Sequence, residues 1–123
     1  MSRPVRLRLS RAKGFDLQAW SRSANGLDAV VVSRPSRWGN RFVIDPLRAI
    51  DYQGYHRNVD IWTGWPVADA KTAVEAFREM QCTKRFCEDA RSLRDKNLAC
   101  WCGLDERWCH ADVLLDLANG DAP

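Results

Sequence analysis

Alternating and continuous apolar patterns along the chain predict three short strands. Apolar and polar residues alternate over positions 5–10, which is the period of a half-buried strand with a basic outer face. The β-branched run AVVV at positions 29–32 predicts a buried strand. The run LACWC at positions 98–102 predicts a third strand, and a polar loop follows it.

Apolar residues repeated every three to four positions predict two helical regions. The first covers residues 69–93, with Asp69 as its N-cap and a break near residues 81–84. The second covers residues 109–119 and ends before a glycine.

The remaining segments predict irregular structure. Asn25-Gly26 is a turn signal, so residues 16–28 are predicted as a turn or loop. Proline and glycine interrupt residues 45–68, which predict an irregular excursion. Together the elements indicate an α/β fold, a single small domain over residues 1–123 with a mostly parallel or mixed sheet and flanking helices.

The hydropathy of the chain argues against a membrane role. No stretch approaches the ~20 apolar residues of a membrane-spanning helix. The first residues also lack the apolar core of a signal peptide. We therefore expect a cytoplasmic protein with no membrane partner.

The net charge of +3 conceals an asymmetry along the chain. Residues 1–48 carry ten Lys and Arg against three Asp and Glu, whereas residues 49–123 carry nine against thirteen. A basic first part favours an anionic partner such as a nucleotide or nucleic acid, and the alternative is a solvated basic surface. Six tryptophans are many for 123 residues. Such rings can stack on bases, although most are expected to be structural.

Five cysteines, an odd number, argue against a disulfide framework in a reducing compartment. Cys82 and Cys87 fall in the first helical region and are expected to be small buried hydrophobic residues. The other three crowd into eleven positions with a histidine, in the segment CWCGLDERWCH. This second group is the strongest candidate for chemistry.

Three interpretations of this group stay open. The first is a zinc site with the tetrahedral ligands Cys100, Cys102, Cys109 and His110, although the C-x-C-x6-C-H spacing is unusual. In the second, Cys100 or Cys102 is a nucleophile facing a helix N-terminus, and His110 is its acid or base. That helix N-terminus would also favour a bound phosphate. In the third, the cysteines and the neighbouring tryptophans only fill space between strand and helix.

The loop after the second strand, SRPSRWGNRF at residues 33–42, is a second candidate site. Ligands of open α/β sheets bind beyond the carboxyl ends of strands. The candidate ligand-binding residues are Arg34, Ser36, Arg37, Trp38 and Asn40. In the alternative interpretation, Trp38 caps the core, Asn40 bonds the turn backbone and Arg34 pairs with an acid.

Three segments resemble the phage and bacterial family called domain of unknown function 4326: LSRAKGF, VVVSRPSRWGNRF and LACWCGLDERWCHADVLLDLAN. Arg41 stands where that family usually has proline, and the loop at residues 103–108 is longer than the family's. The phage origin of many relatives implies a nucleic-acid context. A looser similarity to the domain of unknown function 488, shared at Cys100, Cys109 and His110, implies an α/β domain with a ligand site between a strand end and a helix start.

We therefore expect the two loops to form one pocket in a nucleotide- or nucleic-acid-directed protein. Whether it is an enzyme stays open at this point. The alternative is a non-enzymatic, zinc-stabilised binding module for nucleic acid or a partner protein. A third possibility is a protein adaptor or inhibitor of the kind that phages encode.

Overall fold

The structure is a computed structural model that describes residues 3–54 and 64–120. Its strands and α-helices follow in chain order: β1 (Arg6–Arg8), α1 (Leu17–Asn25), β2 (Ala29–Val31), β3 (Phe42–Ile44), β4 (Trp65–Val67), α2 (Ala70–Ala76), α3 (Lys84–Ala90), β5 (Asn97–Cys100) and α4 (His110–Asn119). None of these helices is long and apolar enough to cross a membrane, a statement restricted to the described residues.

The main sheet places β5 in the centre, between β1 and β2. Both pairings are parallel, with Leu7 opposite Ala99 and Val30 opposite Leu98. All four residues of β5 are buried, as expected for a parallel strand covered on both faces. A second, two-stranded sheet pairs β3 with β4, also in parallel. The predicted α/β fold with parallel strands and flanking helices is therefore confirmed.

The two faces of the main sheet pack against different helices. Leu7 and Ala99 point to one face, where Leu17 of α1 packs against them. Leu98 and Cys100 point to the other face, into the main core that also holds Leu114 of α4. Most of the buried apolar residues lie on this second side, and so does the cysteine-rich segment.

The prediction of a turn or loop over residues 16–28 is wrong, because the structure forms α1 there. The Asp16 carboxylate accepts a hydrogen bond from the Ala19 amide at 3.1 Å and caps the helix. Gly26, with φ of 82°, ends the helix in the left-handed conformation that glycine tolerates. The Asn25-Gly26 signal was therefore the C-terminal cap of a short helix.

The predicted helical region at residues 69–93 is confirmed, together with its break. Asp69 caps α2 by accepting the Thr72 amide at 2.8 Å. A wider π-helical turn, Phe77–Gln81, follows α2, and Thr83 then caps α3. Cys82 and Cys87 are half-buried rather than fully buried, which corrects the sequence-based prediction.

The predicted irregular excursion at residues 45–68 is only partly irregular. Strand β4 occupies its end, paired to β3, which begins inside the predicted loop after β2. Pro66 is tolerated in this two-stranded sheet because both strands are edges. Residues 55–63 of the excursion lie outside the described part of the chain.

Candidate functional site

A cavity of about 460 Å³ lies beyond the carboxyl ends of β2 and β5. The two strands are parallel neighbours, so the segments that follow them leave the sheet at the same edge. Arg34 and Asn40 line the cavity from the first segment. Three cysteines and His110 line it from the second. We call this cavity the cysteine pocket.

The cysteines converge although β5 is shorter than predicted. The strand ends at Cys100, so Cys102 lies in the following bend and not in a strand over residues 98–102. The Sγ atoms of Cys100, Cys102 and Cys109 nevertheless lie within 4.8 Å of one another. Cys100 Sγ and Cys109 Sγ are 3.3 Å apart, and both residues are buried. These three thiols form a group that could hold a metal ion.

The pKa values of the three thiols are shifted in different directions. Hydrogen bonds with Cys100 and Cys102 hold the pKa of Cys109 well below its usual range. Hydrogen bonds with Cys102 and Cys109, together with burial, raise the pKa of Cys100. Cys100 lowers the pKa of Cys102, but the hydrogen bond with Cys109 and burial outweigh it, so this pKa is raised as well. Cys109 is the N-cap of α4, and the hydrogen bonds from its two neighbours favour the charged form of its thiol.

Arg6 of β1 holds the loop between β5 and α4 in place. Its guanidinium donates to the carbonyl oxygens of Gly103 (3.3 Å), Leu104 (3.1 Å) and Glu106 (2.8 Å), and to the Asp112 carboxylate (3.0 Å). Burial lowers the pKa of Arg6, but the charges of Cys109 and Asp112 outweigh burial and raise it. These hydrogen bonds therefore hold the loop between β5 and α4, which carries Cys102, against strand β1.

The prediction that Arg6 lies on a solvent-facing basic surface is wrong. The Arg6 side chain is only 9% exposed, because α4 covers that face of β1. Arg8, two residues further along the same strand, is exposed as predicted. The available signal was the predicted helix at residues 109–119, since a parallel sheet needs helices on both faces.

His110 hydrogen-bonds the neighbouring Cys109 thiol and also makes contacts away from the cysteines. Its Nε2 donates to the Val32 carbonyl oxygen at 2.7 Å, and its ring packs edge-to-face on Phe77. The histidine therefore ties the start of α4 to the end of β2. Within the described residues, the group that could hold a metal ion consists of the three cysteines, and His110 is not part of it.

Arg34 is a positively charged residue that lines the pocket and is available to bind a ligand. It is exposed, and among the described residues no hydrogen bond or ion pair involves its guanidinium. The predicted alternative, a pairing with an acid, is therefore not observed. Gly39 packs directly on Arg34: a Cβ at residue 39 would lie 2.9 Å from Arg34 Cα. A glycine at this position lets the loop fold back and set the arginine at the pocket edge.

The other candidates of this loop are engaged in structural contacts. Trp38 is buried and packs on Phe86 at 5.5 Å between ring centroids, so it caps the core. Arg37 pairs with Asp89 at 2.8 Å and faces a different cavity. The Asn40 side chain bonds the Ala73 carbonyl and the Phe42 amide.

Ser36 also contributes to the shape of the loop. Its hydroxyl oxygen lies 3.3 Å from the Trp38 amide nitrogen, which donates to it. Its own amide donates to the Ser33 carbonyl at 3.0 Å and closes a turn. Both hydrogen bonds of Ser36 therefore stabilise the loop itself. The cysteine pocket is lined by other residues of the loop, such as Ser33 and Arg34.

Comparison with known families assigns the chain to one of them. The sequence pattern of the family described as Domain of unknown function (DUF4326) matches residues 15–120, and the chain belongs to this family. The matched range includes both loops of the pocket but begins at the last residue of the LSRAKGF segment. No curated protein and no solved structure matches the chain.

Proposed function

We propose that this member of the DUF4326 family binds the phosphate of a nucleotide, free or within a nucleic acid, beside a metal ion held by its three cysteines. One observation carries the proposal: three thiols line the same cavity as an arginine that has no partner among the described residues. The thiols supply ligands for a soft metal, and the arginine supplies a cation for an anionic group.

Zinc is the metal that this ligand set favours. Zinc binds cysteine sulfur at about 2.3 Å, which puts tetrahedral sulfurs ~3.8 Å apart. The three sulfurs here lie within 4.8 Å of one another, and the sulfurs of Cys100 and Cys109 are 3.3 Å apart, so small shifts of the side chains would bring them to that spacing. Three protein ligands would leave a fourth position for water or substrate, as in catalytic zinc sites.

Arg34 gives the pocket its preference for anions. A guanidinium binds phosphate oxygens through two parallel hydrogen bonds, and the exposed Arg34 side chain has no competing partner in the described part of the chain. The pocket also offers apolar walls, from Val43 and Trp108, against which a base or sugar could pack. We therefore favour a nucleotide over a bare inorganic anion.

A second candidate function rests on the burial of two cysteines. Cys100 and Cys109 belong to the main core and connect β5 to α4. A metal held there would fasten strand to helix even if the pocket took no ligand. The protein would then be a zinc-stabilised binding module that uses another surface for its partner.

The first experiment measures metal content by mass spectrometry on protein purified without chelator. We expect about one zinc per chain in the wild type and loss of zinc in Cys102→Ser. The matched control is Cys87→Ser, because Cys87 is half-buried and lies outside the cluster. Protein that carries no metal would contradict the metal part of the proposal.

The second experiment measures the binding of thymidine monophosphate by calorimetry. Losing one charge-assisted contact should weaken binding by about tenfold to a hundredfold in Arg34→Gln. Arg91→Gln is the control, because Arg91 is exposed and does not line the pocket. A zinc-loaded protein that does not bind the nucleotide would instead support the binding module.

A further inference from the structure

A second cavity, of about 830 Å³, lies next to the cysteine pocket and exposes aromatic rings. Trp20 is 52% exposed and Trp101 46% exposed, and both line it. We call it the aromatic surface; its other charged or aromatic lining residues are Arg8, Arg11 and Phe15. Exposed tryptophans in such a group mark an interaction site, because burying them in the core would otherwise be favourable.

The charge of the aromatic surface is positive. Arg8 and Arg11 are exposed, and none of the described residues that line the cavity is acidic. The Arg11 guanidinium lies 4.8 Å from the centroid of the Trp101 ring, so a cation and a ring face are presented together. The partner should therefore combine negative charge with flat apolar faces.

The aromatic surface is continuous with the cysteine pocket through one residue. Trp101 stands between Cys100 and Cys102 in the sequence and lines both cavities. A polymer bound to the aromatic surface would contact the Trp101 ring where it extends into the cysteine pocket. A single small ligand could occupy only one of the two cavities.

We propose that the aromatic surface binds single-stranded nucleic acid, whose unpaired bases stack on Trp20 and Trp101 while Arg8 and Arg11 contact phosphates. The proposal deepens the proposed function, on which it rests for what happens in the pocket: the nucleotide bound there would be part of a strand. Stacking on tryptophan with arginines along the backbone is how proteins hold single strands without reading sequence. A duplex hides its base faces, so it would leave the rings without partners.

The test is fluorescence anisotropy with a labelled 12-nucleotide dT strand, the same length of rU, and a 12-base-pair duplex. We expect both single strands to bind much more tightly than the duplex. Trp20→Ala should weaken strand binding about five- to a hundredfold. Trp20→Phe keeps a ring and should recover most of the affinity, and Arg91→Gln should change nothing.

The outcomes separate this inference from the proposed function. Duplex binding equal to that of the strands, or affinity unchanged in Trp20→Ala, overturns the inference, even if thymidine monophosphate still binds through Arg34. Strand binding that depends on Trp20 supports the surface, even if the mononucleotide does not bind and the proposed function fails. Binding of a partner protein through Trp20 without any strand binding also overturns the inference.

Discussion

The two segments that build the cysteine pocket use their polar residues in opposite ways. In the segment after β2, Trp38 and Asn40 make structural contacts, and Arg34 has no partner within residues 3–54 and 64–120. In the segment after β5, Cys100 and Cys102 hydrogen-bond with each other, and both also hydrogen-bond with Cys109. The position of a strand end locates the pocket, but the partners of each side chain decide what that side chain can do.

The largest effect that tests this comparison is expected from Trp38→Ala. Removing a buried indole leaves a core cavity, so the free energy of unfolding should fall by about 3–5 kcal/mol. Urea denaturation measures this change. Trp20→Ala is the control and should change stability by less than about 0.5 kcal/mol, because Trp20 is exposed. A loss below about 1 kcal/mol in Trp38→Ala would contradict the structural role.

Arg6→Gln is expected to have the next largest effect. The variant loses charge-assisted hydrogen bonds to three loop carbonyls and to Asp112, and should be destabilised by about 2 kcal/mol. Amide hydrogen exchange should accelerate in residues 103–106. Arg8→Gln, on the same strand but exposed, is the control, and equal losses in both variants would show that the loop contacts contribute nothing.

Asn40→Ala separates a structural residue from a ligand-binding one. The loss of hydrogen bonds to Ala73 and Phe42 should cost about 1 kcal/mol of stability. Phosphate affinity, measured by calorimetry, should stay within about twofold of the wild type. A tenfold drop in affinity at unchanged stability would instead place Asn40 on the ligand.

The smallest effect concerns the surface pair Arg37 and Asp89. The Arg37 guanidinium holds the pKa of Asp89 below its usual value of about 3.9, which an NMR titration can follow. A lowered folded-state pKa contributes stability above the unfolded pKa, and this stability is lost as pH falls through the folded value. In Arg37→Gln the pKa should rise towards its usual value. No rise would mean that the second partner of Asp89, Arg85, and not Arg37 holds this pKa down.

Local patterns predicted the elements whose signals lie within a few residues. The Asp69 cap and the apolar stripe after it were sufficient for α2, and the alternation around Leu7 was sufficient for β1. Helix α1 was missed because its stop signal is identical to that of a turn. Boundaries differed where tertiary contacts decide them, as at Cys100, where β5 ends.

The site was predicted in its residue types but not in its partners. The sequence placed Cys100, Cys102 and Cys109 together, and the structure brings their sulfurs into one group. It could not show that His110 bonds a backbone carbonyl or that Arg6 holds the loop. The His110 contact joins residues 78 positions apart, and the Arg6 contact with Glu106 joins residues 100 positions apart. No local pattern in the sequence specifies contacts over such separations.

The central position of β5 sets the order in which the protein can assemble during synthesis. Its edge strands β1 and β2 are made first, yet in the main sheet each pairs only with β5. A nascent chain that ends before residue 97 therefore has no strand pairing of this sheet. Strands β1 and β2 can pair only after β5 has been made, and these pairings join residues far apart in the sequence, which gives them a high contact order. Sheet, sulfur cluster and pocket consequently form together, late, from one short segment.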